Sequence, residues 1–364
     1  MSSKTIFAAA LVSSIVGAQT LSRRIDLPGD SPVTLVSADW GESRATARGG
    51  AFVLDVHAAL SLKNSSTRRI RGVTLVVLAQ EVTPGGKGSV SVPSLDVGPG
   101  ETFPIRIDLP LLKPLGGSGD SPMVEVKLDG VLFDDLNFYG DDKLHSKRTM
   151  TLWELEARRD RKFFKAVLDQ SGREGLQKEM IASIARQVDR PQAGVQMVRG
   201  RSTNIESEHE VQFAFVHLPD APVDPIGGLA RIAGNEARAP RIDVRNRSDR
   251  AVRHLEIGWI VKDQQGREFL AASMPSDVNL APGKSSQVVQ DNSLRLSERT
   301  AIESMSGFVS SVEFSDGSFW IPSRTALDDP KLRRLVAPSP EEQRLSQIYR
   351  KRGLNGLVDE LKKF

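Results

Sequence analysis

The sequence predicts a mainly β fold with added helices: two tandem β-sandwiches, each followed by a helical hairpin, related by an internal duplication of about 180 residues. Three observations carry this prediction. Four separated stretches repeat at a nearly constant spacing. Each repeat opens with short apolar, β-branched runs that end in turn residues. Each closes with an amphipathic stretch broken by a glycine.

The repeat is visible residue by residue. Asn64, Ser66, Arg68 and Arg71 recur as Asn246, Ser248, Arg250 and Arg253, at an offset of 182 with no gap. The apolar positions coincide as well: Ile70 with Val252, Val73 with Leu255, Leu75 with Ile257, Val77 with Trp259. Val97-Gly98-Pro99-Gly100 lines up with Leu280-Ala281-Pro282-Gly283 at offset 183. Val126-Lys127-Leu128-Asp129-Gly130 is similar to the run from Val312 to Gly317, with one residue inserted. In the helical parts Gly172, Gly175, Leu176 and Glu179 meet Gly353, Gly356, Leu357 and Glu360 at offset 181.

The elements follow in order. Residues 1–18 read as a secretory leader: Lys4 in a short n-region, an apolar stretch over 5–18, and Val16-Gly17-Ala18 where a signal peptidase reads small residues. The stretch is too short for a comfortable membrane span; a buried first strand or a retained anchor is the competing reading. Residues 25–148 are expected to form the first sandwich. The run from Phe52 to Leu62 ends at the turn residues Asn64-Ser65-Ser66, and the continuous apolar run from Val73 to Leu78 suits a central strand. Asp129-Gly130 and Asp316-Gly317 fit two-residue hairpin turns, because these residues accept positive φ.

Residues 149–190 are expected to form the first helical hairpin. Leu152, Leu155, Phe163 and Val167 share one face, Gly172 is a C-cap, and Leu176, Met180 and Ile184 restart the pattern at i, i+4, i+8. Residues 191–204 read as a polar linker. Residues 205–325 repeat the sandwich and 326–364 the hairpin, with Ser339 as N-cap, Pro340 at the first helical position and Gly353 as the break.

The pattern resembles the broad class of immunoglobulin-like modules of bacterial extracytoplasmic proteins. The residues that carry it are the Asn246-x-Ser248 turn, Trp259 in the next strand, Asp263-x-x-Gly266 and Leu280-x-Pro282-Gly283. The resemblance covers roughly 80 residues of each repeat, and such turns and a core tryptophan recur in many sandwiches. It implies a module that binds, spaces or assembles, and no particular ligand.

Composition narrows the chemistry. The 49 basic residues are balanced by 46 acidic ones and form no concentrated stripe, which excludes a nucleic-acid partner. The chain has no cysteine, which excludes disulfides, thiolate metal sites and a cysteine nucleophile. Pro84-Gly85-Gly86-Lys87-Gly88-Ser89 lacks the spacing of a phosphate loop and precedes a strand. Gly-Asp-Ser-Pro occurs at Gly29 to Pro32 and again ending at Pro122, and each copy reads as turn chemistry. The pairs Asp134-Asp135 and Asp141-Asp142 match no calcium loop and read as solvated turn acids.

The best metal-ligand pair is His209 and His217, eight residues apart in a strand-like run, but a site needs three or four converging ligands. No catalytic residue, cofactor or metal is therefore expected. Trp259 and Trp320 read as core, which leaves Trp40 and Trp153 as the tryptophans available to stack on a sugar. The expected function is that of an exported, non-enzymatic protein–protein interaction or assembly module. Its partner is expected to be another envelope or extracellular protein. The expected interaction face is Leu176, Met180 and Ile184, with local packing of that stripe as the competing reading. A glycan- or ligand-binding accessory protein is the alternative, and an unrecognised hydrolase the second.

Overall fold

The computed structural model describes residues 22–115, 122–189, 194–198, 207–271, 275–289, 292–297 and 300–364. The expected leader, residues 1–18, lies outside them, as does most of the Gly-Asp-Ser-Pro copy that ends at Pro122. The chain is mainly β with helices and divides into two compact units, one ending at Glu154 and one running Leu155–Phe364.

The first unit contains β1 (Arg23–Asp26), β2 (Val33–Asp39), β3 (Arg44–Arg48), β4 (Ala51–Asn64), β5 (Ile70–Leu78), β6 (Lys87–Val92), β7 (Thr102–Pro114), β8 (Val124–Phe133) and β9 (Phe138–Tyr139). One sheet has the order β1-β8-β5-β6, with β9 on β8 and β1 running parallel to β8. In the other, β4 is central: β7 pairs along its whole length, and β2 and β3 share its other edge. The two sheets close on one core. Leu54, Val56, Leu60 and Leu62 of β4 and Phe103, Ile105 and Ile107 of β7 meet Val73, Leu75 and Val77 of β5 and Val124 and Val126 of β8. Alternation along β4 and β7 puts every second residue inside, as the period of two demands. β5 is buried on both faces, which is why it reads as an unbroken apolar run. Its outer side is met by Met150, whose Sδ lies within 2.8 Å of where a Cβ on Gly72 would stand.

α1 (Ser146–Asp189) begins in the first unit and from Leu155 belongs to the second. The second unit continues with β10 (Val195–Val198), β11 (His209–Gln212), β12 (Ala214–Phe215), β13 (Val223–Ala233), β14 (Glu236–Asn246), β15 (Val252–Asp263), β16 (Glu268–Ala271), β17 (Pro275–Leu280), β18 (Ser285–Val289), β19 (Ser293–Leu296), β20 (Ile302–Phe314) and β21 (Phe319–Trp320). A short 3₁₀ turn (Ala326–Asp328), α2 (Pro330–Leu335) and α3 (Pro340–Leu361) end the chain. The strands form one sheet of order β11-β13-β14-β19-β10-β16-β15-β20-β12. β10 falls in the stretch that the sequence presents as a linker; it bridges β19 and β16. Ile257, Trp259 and Val261 of β15 point into the core with Val244, Leu294 and Val309, while Ile260 of β15 and Phe308 of β20 point out against Leu332 and Leu335 of α2.

Several local arrangements occur in both units. The Asn64 side chain is fully buried; its amide donates to Arg68 O at 2.7 Å and Val97 O at 3.1 Å. Its Oδ1 accepts from Ser66 N at 3.0 Å and Ser66 Oγ at 2.7 Å. Asn246 donates to Arg250 O at 2.7 Å and Leu280 O at 3.0 Å, and accepts from Ser248 N at 2.9 Å and Ser248 Oγ at 2.7 Å. Such a carboxamide satisfies backbone groups that the crossing between the two β layers would otherwise leave unpaired. Arg68 lies over the Phe133 ring at 4.0 Å, and Arg250 over the Phe314 ring at 3.6 Å. Ile70 pairs with Phe133 and Val252 with Phe314.

This register corrects one expectation. Asp129-Gly130 is no turn: it lies inside β8, with Asp129 buried. Asp129 accepts from Ser146 Oγ at 2.7 Å at the start of α1. Gly130 leaves room for the Phe138 ring, which lies 2.0 Å from where a Cβ would stand. Asp316-Gly317 is a turn, with Gly317 at φ 81°.

α1 and α3 each consist of two helical pieces joined at one glycine, Gly172 (φ 66°, ψ −164°) and Gly353 (φ 66°, ψ −168°). Three residues on, a Cβ at Gly175 would stand 2.3 Å from Ser171 Cβ, and one at Gly356 2.4 Å from Arg352 Cβ. Ser339 caps α3 by accepting from Glu342 N at 3.0 Å, with Pro340 next. Gly172→Ala and Gly353→Ala are each expected to cost about 1–3 kcal/mol, because φ 66° with ψ near −165° is a backbone region that essentially only glycine occupies. Urea denaturation of the two variants measures this.

Candidate functional site

The helical parts of the second unit carry a connected network of buried polar side chains. Phe164, Leu176 and Met180 of α1 pack on Leu345, Leu357, Val358 and Leu361 of α3, all buried. The stripe expected to face a partner is therefore spent: Leu176 and Met180 are fully buried and Ile184 packs against the same cluster. Local packing won because α3 offers a matching apolar stripe close by. His209 is exposed on β11, paired with Ile232, and His217 follows β12, with Nδ1 3.0 Å from Asp224 Oδ1. Among the described residues no three His, Asp or Glu side chains are grouped to hold a metal ion. Trp40 is buried, with Arg23 over its ring at 5.4 Å, and Trp259 is fully buried. Ser31 of the described Gly-Asp-Ser-Pro accepts from Val33 N at 3.2 Å, which is a turn bond.

Four buried carboxylates cross the interface between α1 and α3. Arg324, in the loop after β21, holds Glu342 with both guanidinium nitrogens, at 2.6 and 2.9 Å, while Ser183 donates to the same carboxylate at 2.6 Å. Arg324 also reaches Asp160 at 3.5 Å, and Asp160 accepts from Ser339 Oγ at 2.6 Å and Arg159 Nε at 2.9 Å. Arg344 joins Glu341, at 2.7 Å, to Glu360, at 2.6 Å. Burial by itself pushes the Glu342 and Glu360 carboxyls up. For Glu342 the Arg324 hydrogen bonds and charge overcome this, and for Glu360 the Lys363 and Arg344 hydrogen bonds do, so both stay below the usual range.

Glu156 behaves differently. Burial pushes its carboxyl up to about 7; Arg159 opposes that rise, and the negative charges of Asp160 and Glu256 add to it.

Beside this network the second piece of α1 and α2 form an open groove. Ala182, Ala185 and Arg186 line one wall, and Asp328, Pro330, Arg333 and Arg334 the other. At 100° per residue, Ala185 stands in the middle of the exposed helix face, with Ile181 and Val188 on one flank and Ala182 and Arg186 on the other. Ile181 is 51% exposed and Val188 69%, so the face is apolar and open. It lies roughly 100° around the helix from the Leu176/Met180/Ile184 stripe. The groove opens beside a narrow cavity of about 50 Å³ whose lining includes Arg159, Arg186, Arg324 and Arg333 with Ser183 and Ser339. Cations outnumber acids at this rim. Arg333 and Arg334 are largely exposed, against the single exposed acid Asp328. Sequence periodicity marked the helix through the stripe that packs, and the exposed Ile181, Ala185 and Val188 face lies beside it.

No protein-family model matches the chain, and no characterised protein is similar to it in sequence at a significant level. Among solved structures, the red sea bream transglutaminase aligns over 80% of this chain at 10% identity, with a TM-score of 0.13. The chain spans 31% of that enzyme's length. An allantoicase aligns over 75% of this chain and 82% of its own, at 9% identity and a TM-score of 0.08. Scores this low carry no argument about fold or activity.

Two predictions follow from the network. Arg324→Ala removes the two-pronged partner of buried Glu342 and leaves it Ser183 and the longer 3.6 Å contact to Arg186, and is expected to cost about 3 kcal/mol, read from chemical denaturation. Glu156 has the opposite sign from the paired acids. Its folded value lies above its unfolded one, so the stability it contributes is complete below about pH 4.5 and is lost as pH rises through 7. The wild type is expected to lose melting temperature across that window, and Glu156→Gln to lose distinctly less. Glu342 and Glu360 act in the acid limb instead, where stability falls as pH drops below the usual carboxylate range.

Proposed function

We propose that this chain is an exported, non-enzymatic interaction module built from two copies of one unit, an immunoglobulin-like β-sandwich followed by a helical hairpin. The groove between α1 and α2 is where it holds another protein. The observation that carries the binding reading is the exposed apolar face of Ile181, Ala185 and Val188 beside a cation-rich rim. Exposed apolar side chains grouped on one helix face support an interaction site.

The duplication is supported by the parallel topologies. In the first unit the order β1-β8-β5-β6 carries a parallel first strand and β9 on β8. In the second, β12-β20-β15-β16 carries a parallel β12 and β21 on β20. The paired asparagine turns, the Arg–Phe stacks and the glycine breaks of α1 and α3 support the same reading. Two hairpins then pack on each other through Phe164, Leu176 and Met180 against Leu345, Leu357 and Leu361. That packing spends one apolar stripe and leaves the neighbouring face of α1 open. The leader-like residues 1–18 support a location outside the cytoplasm, where the partner would be an envelope or extracellular protein.

The test is photo-crosslinking in the native host from a reactive amino acid at position 181. One specific extracytoplasmic protein is expected in the crosslinked product, and Ala185→Arg is expected to abolish it by filling the groove. Crosslinks to nothing, or a pattern indifferent to Ala185→Arg, would overturn the reading.

A further inference from the structure

We infer that the segment held by the α1–α2 groove is an acidic amphipathic helix. The inference rests on the interaction reading above and adds the chemistry of the partner.

The walls decide the shape of the occupant. Both walls are helical, so the groove offers no strand edge to extend. The groove itself is lined on the α1 side by Ala182 and Ala185, and the exposed side chains of Ile181 and Val188 continue the apolar strip on the outer flank of the same helix, about 10 Å along its axis at 1.5 Å per residue. An apolar stripe at i, i+4, i+7 over two to three turns of a partner helix covers that length. Ala182 and Ala185 at the centre carry only a methyl group, so a second helix can approach closely and set its larger side chains into the groove. Pro330 at the first position of α2 shapes the opposite wall.

The rim decides the charge. Arg333 and Arg334 stand on the α2 wall, 46% and 57% exposed, and Arg186 on the α1 wall. The one acid among the lining residues is Asp328, whose contact with Arg333 is a loose 4.0 Å. Arg334 pairs with Glu268, and Arg186 with Glu179 and Glu342, so each cation is partly neutralised at home. Arg333 and Arg334 keep about half of their side-chain surface exposed despite these partners. Carboxylates flanking the apolar stripe of the partner would meet them as charge-assisted, two-pronged hydrogen bonds. A basic segment of the same apolar pattern would meet like charge and be rejected.

The test pans a random library of displayed peptides about three helical turns long on the immobilised full-length protein. A synthetic copy of the most enriched peptide is then titrated into the protein by fluorescence anisotropy. Winners are expected to carry apolar residues at i, i+4, i+7 with Asp or Glu beside them. Ala185→Arg is expected to weaken the synthetic peptide at least tenfold. A double variant, Arg333→Glu with Arg334→Glu, is expected to reverse preference, favouring the same peptide with its acids changed to lysine. Both variants touch exposed side chains, and an unchanged melting temperature shows that they fold. Winners without acidic bias, or a preference that survives the double charge reversal, would overturn the acidic partner while leaving a crosslinked partner from the cell in place. A failure to enrich any peptide, beside an intact Ala185→Arg-sensitive crosslink, would overturn the short-helix occupant alone. A concentration-dependent dimer of the wild type that Ala185→Arg dissociates would show a second copy in the groove and overturn the proposal.

Discussion

Arg324 holds the helical part of the second unit together by neutralising two acids that have left water. Its guanidinium meets Glu342 with two nitrogens and Asp160 with one, and both carboxylates lie in the interior between α1 and α3. A buried carboxylate without a partner costs several kcal/mol, so the apolar contacts of Phe164, Met180 and Leu345 are available only in the arrangement that also closes this pair. Ser183 and Ser339 complete the shell from α1 and from the cap of α3. The network therefore acts on register. Hydrophobic side chains tolerate sliding; a two-pronged bond to one carboxylate does not.

That constraint has consequences for the surface. With the Leu176/Met180 side of α1 fixed against α3, the rest of the helix circumference is fixed too, and the Ile181/Ala185/Val188 face turns outward beside α2. The same α2 is anchored from below, through Leu332 and Leu335 on Ile260 and Phe308. A groove with two anchored walls is pre-organised, so under the proposed reading holding a ligand there would cost little in ordering the protein. Glu156, whose carboxyl is pushed up to about 7, adds a pH term of the opposite sign to that of the paired acids. The helices thus feel acid and neutral conditions through different residues.

Much of the fold can be read in the chain, for reasons visible at single positions. Asn64-x-Ser66 and Asn246-x-Ser248 form the same buried turn because only a carboxamide both donates to two carbonyls and accepts from a backbone N–H there. Gly172 and Gly353 break their helices because φ of 66° excludes most side chains. Other positions mislead for equally local reasons. Asp129-Gly130 has turn composition, yet Asp129 is drawn inside by Ser146, and Gly130 is needed for the ring of Phe138. Those partners are distant in sequence or lie on the other side of a turn, where no short-range pattern records them.

The chain by itself determined where many of the strands, turns and helices fall, because alternation, turn chemistry and glycine breaks are properties of a few consecutive residues; Asp129-Gly130 and Val195–Val198 escaped it. It also showed that α1 carries an apolar stripe. Which stripe is spent and which stays open was decided only in three dimensions. Leu176 and Met180 are covered because α3 supplies Leu345, Leu357 and Leu361, while the small residues Ala182 and Ala185 face the gap beside α2. Exposure is a property of what packs nearby, and the packing partners here lie more than 150 residues further along the chain.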